Sequence, residues 1–267
     1  MALYRAKPED GVAWVTGASS GIGRQIALEL AGAGYTVIAT ARREDELSSL
    51  AAETANLAGH ASPTPCDVTD EEAMSDLVAA IEARHGAIAL AVFNAGMFAP
   101  VHGERMSVER FTKSFAVNVT GIIHGLVPTV ALMQRTGRGQ VVLMASVAGY
   151  AGLPTSAAYG ATKAAVNNLA ESLKFDFDKM NIRIQVINPG FVDTPATEGN
   201  PFPMPALMDV DEAGKRIARG IAESGFEITF PRRFTWPLKL LSKLPYSVYF
   251  GLVGRATGWK KKPLRPK

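Results

Sequence analysis

Cysteine is nearly absent from this chain of 267 residues, in which Cys66 is the only one. A single cysteine excludes an internal disulfide and favours a reducing compartment such as the cytoplasm. We expect Cys66 to act as a small buried hydrophobic residue. The four histidines lack the spacing of metal ligands, so the sequence predicts no metal site.

Acidic residues are missing from residues 228–267, which contain ten Lys or Arg. The rest of the chain has 18 basic residues against 25 acidic ones, so the net charge of +3 comes from this C-terminal segment. A basic tail on an acidic body is poor evidence for nucleic-acid binding. We therefore expect no nucleic-acid partner.

A secretory signal is also lacking, because residues 1–10 contain charges and no apolar core. Uncharged stretches at residues 114–134 and 139–162 are long enough to cross a membrane. Their interiors contain Asn118, Pro128 and several glycines, which is typical of segments covered on both faces in an α/β core. No transmembrane span is predicted.

The remaining composition is that of a globular protein, with 47% hydrophobic and 20% charged residues. The pattern alternates between strands and helices. Strands are predicted at residues 11–16, 35–41, 87–93, 140–145, 183–188 and 227–230, with another before Cys66. Helices are predicted after residue 21 and at residues 44–57, 69–85, 107–135, 155–181 and 210–224.

This alternation predicts an α/β fold with a Rossmann-like, doubly wound parallel sheet and helices on both faces. Thr69 is the expected N-cap of the third helix, with Glu72 completing a capping box. We expect residues 1–230 to form one domain, because no linker divides them. Residues 231–267 would then be a short, helical, basic C-terminal extension.

A glycine-rich turn, Thr16-Gly-Ala-Ser-Ser-Gly-Ile-Gly23, separates the first predicted strand from the first predicted helix. Gly17 would permit the tight turn, Gly21 would let a pyrophosphate approach the backbone, and Gly23 would let the helix pack against the sheet. The helix N-terminus then offers free N–H groups to phosphates. The strand–turn–helix context therefore predicts a dinucleotide site.

The spacing of these glycines resembles that of the short-chain dehydrogenase/reductase family, and later motifs extend the resemblance from residue 11 to about residue 194. It implies an enzyme that binds a nicotinamide cofactor and interconverts a carbonyl and a secondary alcohol. In the turn it implies cofactor contacts from Gly17, Ser19, Ser20, Gly21, Ile22 and Gly23.

Arg42 and Arg43 follow the second predicted strand, where an NAD site would place a carboxylate for the ribose 2′-hydroxyl. Guanidinium groups suit a 2′-phosphate instead, so NADP(H) is favoured and NAD(H) stays open. The alternative is that both arginines only begin a solvated helix. The family's second basic position is occupied here by Ser20.

Two further elements resemble family elements beside the cofactor. Asp67 and Val68 match a pair that contacts the adenine, although Asp67 could instead be a turn or cap residue. Asn94, Ala95 and Gly96 match an element that lies next to the cofactor and braces the sheet.

Residues 189–194 resemble the Pro-Gly element that flanks the nicotinamide. Pro189 and Gly190 carry the match, and contacts are implied from the Val192 backbone and the Thr194 hydroxyl. A cap beside Pro195 is the alternative role for Thr194.

Tyr159 and Lys163 are four residues apart at the start of a predicted helix, which puts them on one face. Ser146 lies thirteen residues before Tyr159, at the end of a predicted strand. In a parallel sheet the carboxyl ends of the strands face the ligand. With Asn118 on the preceding helix, these residues match the four catalytic positions of the family.

The resemblance and the chemistry give each residue an expected role. Tyr159 would be the general acid/base, and Lys163 would lower its pKa from about 10 and bind the nicotinamide ribose. Ser146 would polarise the substrate carbonyl. Asn118 would hold a water that relays protons.

Substrate choice is expected beyond residue 194, where the resemblance fades. The irregular loop at residues 195–208 offers Phe202, Met204, Leu207 and Met208. This composition suits an apolar substrate, although apolar loops are also common without such a role. The segment 231–267 would either cover the pocket or contact an anionic membrane surface.

Two other function classes stay open at this stage: a cofactor-binding sensor or scaffold without turnover, and a peripheral membrane protein. The four matching catalytic positions argue against a sensor. The resemblance also implies a homodimer or homotetramer that associates through the helices at residues 107–135 and 155–181.

Overall fold

The computed structural model describes residues 3–198 and 204–263. Phe202, a residue of the loop expected to select the substrate, lies outside these ranges. The last basic residues of the tail also lie outside them. The strands are β1 (Val12–Thr16), β2 (Thr36–Ala41), β3 (His60–Pro65), β4 (Ile88–Phe93), β5 (Gly139–Met144), β6 (Ile182–Pro189) and β7 (Glu227–Phe230).

These seven strands form one parallel sheet in the order β3-β2-β1-β4-β5-β6-β7. The strand order reverses between β1 and β4, which creates a crevice at their carboxyl ends where ligands bind in this type of sheet. Every residue of β1, β4, β5 and β6 is buried. Helices cover both faces of these strands, so their polar residues Gln140, Arg183, Gln185 and Asn188 are buried together with the apolar ones.

The helices flank the sheet on two sides. They are α1 (Gly21–Gly32), α2 (Glu44–Thr54), α3 (Glu71–His85), α4 (Val108–Phe115), α5 (Gly121–Thr136), α6 (Ala157–Lys179), α7 (Val210–Ala222), α8 (Arg232–Leu241) and α9 (Tyr246–Ala256). One core cluster includes buried residues of α1, α2 and α7, and the other includes buried residues of α3, α5 and α6. The predicted doubly wound sheet is confirmed.

The N-cap of α3 differs from the prediction. Asp70 is the cap, and its carboxylate accepts a 3.0 Å hydrogen bond from the Ala73 N–H. Thr69 instead donates its own N–H and hydroxyl to Asp67 Oδ1. A carboxylate caps a helix as well as a hydroxyl does, and the turn at Asp67 occupies the threonine. The helix therefore begins at Glu71.

Cys66 is half-buried rather than fully buried, and it packs at the edge of the second core cluster. Burial raises the pKa of its thiol, and the nearby carboxylates of Asp70 and Asp67 act in the same direction. The thiol is therefore held in its neutral form at neutral pH.

The helical run Val108–Thr136 is long and apolar enough, by length and composition alone, to cross a membrane. Within it, Ile122, Leu126 and Leu132 are buried in the core beneath the sheet. Core helices of soluble proteins pass the same test, so this run is weak evidence for a membrane span.

Candidate active site

Asn94 ties the glycine-rich turn to the end of β4. Its backbone N–H donates to Thr16 Oγ1 at 3.0 Å, and its side-chain amide donates to the carbonyls of Thr16 and Gly17 at 3.1 and 3.3 Å. The Ala95 N–H also donates to Thr16 Oγ1. Thr16 thus takes part in the site, although the sequence analysis used it only as part of the motif.

Two glycines of the turn have no room for a side chain. Gly17 adopts a φ of +69°, and a Cβ there would lie 2.8 Å from the Cα of Ala95. A Cβ on Gly23 would lie 2.2 Å from the Asn94 amide nitrogen and 2.3 Å from the Gly17 carbonyl oxygen. Close packing of α1 against the turn therefore requires glycine at both positions.

The N-terminus of α1 opens towards the crevice. Ser20 is the N-cap, but its side chain makes no capping hydrogen bond to the helix, so the first N–H groups of α1 remain available for an anion. Gly21, with a φ of +55°, lies against Thr194, whose Cβ would be 3.3 Å from an added Cβ. The turn thus meets the segment that follows β6.

Arg42 and Arg43 have different surroundings at the end of β2. The Arg43 guanidinium donates to the hydroxyls of Ser19 and Ser20, both at 3.0 Å. Arg42 is exposed, and its Nη1 lies 3.8 Å from Asp67 Oδ2. The two guanidinium groups therefore flank the outer side of the turn, where they can reach an anionic group.

Asp67 is ionised in this arrangement. Partial burial favours the neutral acid, but two hydrogen bonds from Thr69 and the charge of Arg42 outweigh it and lower the pKa of Asp67. Its carboxylate closes a turn, which is the alternative role considered from the sequence. Val68, the next residue, is buried against α5, where its Cγ2 would lie 2.8 Å from a Cβ on Gly121.

Ser146 and Tyr159 face each other at the carboxyl edge of the sheet. Ser146 lies two residues beyond β5, as the N-cap of the single 3-10 turn Val147–Gly149, and its Oγ accepts a hydrogen bond from the Ala148 N–H. It is therefore on a turn rather than on the strand itself. Tyr159 lies in the first turn of α6, with its ring edge-on to Phe98 at 5.2 Å.

Burial raises the pKa of Tyr159, and a hydrogen bond with Ser146 acts in the opposite direction. This net direction differs from the expectation that Lys163 would lower the pKa. The Lys163 Nζ donates to the Met144 carbonyl oxygen at 2.6 Å and lies over the Tyr159 ring, 5.6 Å from its centre. The ammonium group is therefore directed to the strand end and the ring face, and burial dominates.

Lys163 is 2% exposed, and this burial lowers its pKa from 10.5 to about 8. No carboxylate of the described residues pairs with it. Gly96 borders the ammonium, since a Cβ there would be in van der Waals contact with Nζ at 3.5 Å and with Asn118 Oδ1 at 3.4 Å. A buried cation with a single backbone partner is unusual outside functional sites.

Asn118 is fully buried in a π-helical turn, Ala116–Thr120, between α4 and α5. Its side chain accepts from the Met97 N–H at 2.7 Å and donates to the Met97 carbonyl at 2.9 Å and to Thr162 Oγ1 at 3.0 Å. The helix expected at residues 107–135 is present as the continuous run Val108–Thr136, and Asn118 lies in a wider turn within it, of the kind often found at functional sites. Through it the loop after β4 is joined to α6.

The segment after β6 is held by Thr197, a residue for which no role was expected from the sequence. The Thr197 hydroxyl accepts from the Thr194 N–H at 3.0 Å and donates to the Val192 carbonyl at 2.7 Å. Val192 also forms an isolated bridge with Met208. A second threonine three residues after Thr194 was the available signal for this turn.

A cavity of about 1060 Å³ opens at this edge of the sheet. It brings together the following predicted site residues: Ile22, Ser146, Tyr159, Pro189, Gly190, Val192 and Thr194. Lys163 and Asn118 lie buried behind Tyr159 rather than in the cavity lining. Arg42, Arg43 and Asp67 lie at the outer side of the glycine turn. The structure thus divides the predicted residues between this cavity and the glycine-rich turn beside it.

The C-terminal extension forms one wall of this cavity. Phe234 of α8 packs on Phe191 with 5.6 Å between ring centres. The Tyr249 hydroxyl of α9 donates to the Gly152 carbonyl at 2.8 Å. Trp259 stacks on His102 at 6.1 Å. These three contacts attach the extension to both sides of the cavity.

Within residues 3–198 and 204–263, no group of three or more His, Cys, Asp or Glu is arranged to hold a metal ion.

Comparison with known proteins adds independent findings. The model of the family described as short chain dehydrogenase matches residues 11–201. An uncharacterized oxidoreductase of Myxococcus xanthus is 36% identical over 237 residues, which cover 89% of this chain and 94% of that protein.

Two solved structures share the fold. A short-chain dehydrogenase from Streptomyces avermitilis has a TM-score of 0.78 and 27% identity, covering 97% of both chains. An alcohol dehydrogenase from the archaeon Thermococcus sibiricus, complexed with 5-hydroxy-NADP, has a TM-score of 0.74 and 26% identity. The alignment covers 82% of this chain and 95% of the alcohol dehydrogenase.

Proposed function

The chain belongs to the short-chain dehydrogenase family and is an oxidoreductase acting on CH–OH groups; from this premise we propose that it interconverts a carbonyl and a secondary alcohol on an apolar substrate with NADP(H). One observation carries the proposal. Ser146 and Tyr159 both lie on the wall of a largely apolar cavity, with the Lys163 ammonium buried behind them.

The cradle beside the cavity fits a dinucleotide. The open N-terminus of α1 and the glycine turn would hold the pyrophosphate, and Arg42 and Arg43 would hold a 2′-phosphate. Val192, Thr194 and the buried Lys163 would border the nicotinamide end. When bound, the nicotinamide supplies or accepts the hydride.

The protein's own groups handle the proton. The Ser146 hydroxyl donates a hydrogen bond to the substrate oxygen and stabilises its developing negative charge. Tyr159, whose pKa is raised by burial, is protonated at neutral pH and donates its proton to the same oxygen during reduction. In oxidation the proton of the alcohol returns to the ionised Tyr159. Asn118 positions the loop after β4 and would also hold a water that relays protons.

Replacing Tyr159 tests the mechanism. We expect Tyr159→Phe to keep the fold and NADPH binding but to lower kcat by about 100-fold or more, because the proton donor is lost. The assay follows NADPH oxidation with a panel of apolar ketones, quinones and aldehydes. Tyr246→Phe, an exposed residue of α9, is the matched control. Near-full activity of Tyr159→Phe contradicts the mechanism, and silence of the wild type despite NADPH binding favours the sensor alternative.

The preference for NADP(H) is tested at Arg42. We expect Arg42→Ala to raise the KM for NADPH by about tenfold and to change the KM for NADH little, because only NADPH carries the 2′-phosphate. Arg84→Ala is a matched control. Arg84 lies in the last turn of α3, which leads into the start of β4, so it lies near the amino ends of the strands and away from the site. Equal changes for both cofactors contradict the assignment.

We also propose a homodimer or homotetramer in the cytoplasm. The single cysteine supports the compartment. Exposed apolar side chains on α4, α5 and α6, namely Val108, Phe115, Ile123, Val127 and Phe175, support association through these helices. Light scattering of the full chain measures the assembly.

A second candidate role concerns the outer face of the extension, which we propose as a contact with an anionic membrane surface. Trp236, Leu240 and Phe250 are 57%, 70% and 61% exposed, and Lys243 and Lys260 are exposed in the same segment. An apolar face with neighbouring cations suits the headgroup region of a membrane. Sedimentation with anionic vesicles tests this role, and the proposed reaction does not depend on it.

A further inference from the structure

The cavity wall formed by the C-terminal extension carries positive charge. Arg233 of α8, Arg255 of α9 and Lys262 line the cavity, and no Asp or Glu of the described residues lines it. All three side chains are exposed although they line the cavity, so their charged ends lie at its solvent-facing rim. The remainder of the lining is mostly apolar.

Among the described residues, the two arginines at this rim have no side-chain partner. Within the described part of the chain, neither Arg233 nor Arg255 forms an ion pair or a hydrogen bond. Elsewhere, Arg24, Arg135 and Arg216 each pair with a glutamate. Lys262 lies over the Trp259 ring at 5.3 Å. The donors of both guanidinium groups are therefore free to bind an anion.

We propose that the substrate is an amphiphile with an anionic end: its apolar body fills the cavity, and a carboxylate or phosphate at its far end is bound by Arg233 and Arg255. The inference rests on the proposed function, whose site it extends. In this arrangement the carbonyl lies at Ser146 and Tyr159, and the charged end stays in contact with solvent. The charged end stays hydrated, so the arrangement avoids the free-energy cost of burying a charge.

The size of the cavity is consistent with such a substrate. Ligand cavities usually measure roughly 300–1,000 Å³, and this one has about 1060 Å³. There is therefore room for an extended apolar chain beside the ring that delivers the hydride. A short neutral ketone would leave much of the apolar wall uncovered.

The cations also belong to a part of the chain outside the family pattern. The family model ends at residue 201, whereas Arg233, Arg255 and Lys262 come from the extension. The extension is positioned by the contacts of Phe234 with Phe191 and of Tyr249 with Gly152. Recognition of the anionic end is thus assigned to the segment beyond the family model, and the chemistry to the part that the model matches.

Binding without turnover tests the proposal. Titration calorimetry in the presence of NADPH, which can reduce none of these ligands, would compare decanoate and decyl phosphate with 1-decanol, which has the same chain and no charge. We expect each anion to bind wild type about tenfold more tightly than 1-decanol, because charge-assisted hydrogen bonds add to the burial of the chain. The anion that binds with the higher affinity identifies the preferred headgroup as carboxylate or phosphate.

The variants separate charge recognition from apolar packing. In Arg233→Gln/Arg255→Gln the anions should lose about tenfold in affinity and 1-decanol should be unchanged. Arg233→Lys/Arg255→Lys should retain most of the preference. Arg232→Gln/Lys261→Gln is the matched control, because these neighbouring cations do not line the cavity.

Salt dependence offers a second measurement if the double glutamine variant does not fold. Raising the ionic strength should weaken decanoate binding to wild type and leave 1-decanol unaffected. Equal affinities of anions and alcohol, no salt dependence, or a raised KM for NADPH in the arginine variants would each overturn the proposal. Because Tyr159→Phe should show the same anion preference, failure of the mechanism and failure of this inference are distinguishable.

Discussion

At the scale of single residues, Lys163 is held in an energetically unfavourable place. Transfer of an ammonium group from water to the protein interior is opposed by the loss of hydration. The only hydrogen bond of Nζ among the described residues is the one to the Met144 carbonyl, and the pKa of the group falls to about 8. Such a residue is expected where function, rather than stability, determines the side chain.

Replacing Lys163 should therefore stabilise the protein while removing its activity. The unfolded chain binds more protons than the folded one between pH 8 and pH 10.5, so the unfavourable contribution is complete below pH 8 and disappears as the pH rises through this range. Lys163→Met should raise the free energy of unfolding at pH 7 by about 1–3 kcal/mol, with a smaller gain near pH 10. Urea denaturation at both pH values measures it.

Lys179→Met, an exposed position on the same helix, is the control and should change stability little. A loss of stability in Lys163→Met at pH 7, or a gain that does not depend on pH, would show that burial of the ammonium is not the dominant effect.

At the scale of elements, the position of α8 depends on Glu227 at the start of β7. The Glu227 carboxylate accepts hydrogen bonds from the Tyr150 hydroxyl, the Asn188 amide and the Lys239 ammonium of α8. Lys239 also lies over the Tyr150 ring at 5.4 Å. One carboxylate thus links α8 to the loop that carries Ser146 and to the end of β6.

Removing the Glu227 charge should loosen α8. Partial burial favours the neutral acid, but the hydrogen bonds from Lys239, Tyr150 and Asn188 outweigh it and lower the pKa of Glu227. Its contribution to stability is therefore present above the unfolded-state value near 4.5 and is lost as the pH falls through the folded-state pKa. We expect Glu227→Gln to lose about 1–2 kcal/mol at pH 7 and to raise the KM of the carbonyl substrate.

Glu223→Gln serves as the comparison, since Glu223 is exposed. Denaturant titrations at pH 7 and pH 4 should show a gap between wild type and Glu227→Gln that narrows in acid. If the gap is the same at both pH values, the carboxylate is not the link that holds α8.

At the scale of the whole molecule, the cavity is assembled from two parts of the chain. The carboxyl edge of the sheet contributes Ser146, Tyr159 and the segment after β6 to its lining. The extension contributes lining residues from α8 and α9. The extension turns Thr235, Tyr249 and Val253 inward and leaves Trp236, Leu240 and Phe250 exposed. The same segment can therefore cover a cavity and present an apolar surface to its surroundings.

The exposed surface predicts pelleting with vesicles that contain an anionic lipid and none with neutral vesicles. Leu240→Ser/Phe250→Ser should abolish pelleting while the reaction with a soluble substrate is retained, because neither residue lines the cavity. Met106→Ser, an exposed apolar residue before α4, is the control. Failure of the wild type to pellet would end the membrane role and leave the cavity-covering role intact.

The sequence by itself determined the fold class and the nucleotide turn, for a physical reason. Strand, helix and turn signals are local, and the glycine spacing encodes a backbone geometry that other residues cannot adopt, as the missing space at Gly17 and Gly23 shows. The spacing of Tyr159 and Lys163 is local in the same sense, because residues four apart in a helix lie on one face wherever that helix packs.

Only the tertiary structure decided how those groups behave. The raised pKa of Tyr159 and the lowered pKa of Lys163 follow from burial, and burial depends on what packs around a residue rather than on its neighbours in sequence. The π-helical turn at Asn118 follows from its bonds to Met97 and Thr162. The C-terminal extension forms a cavity wall with unpaired arginines because residues far apart in the chain, such as Tyr249 and Gly152, contact each other. Local sequence patterns do not predict such contacts.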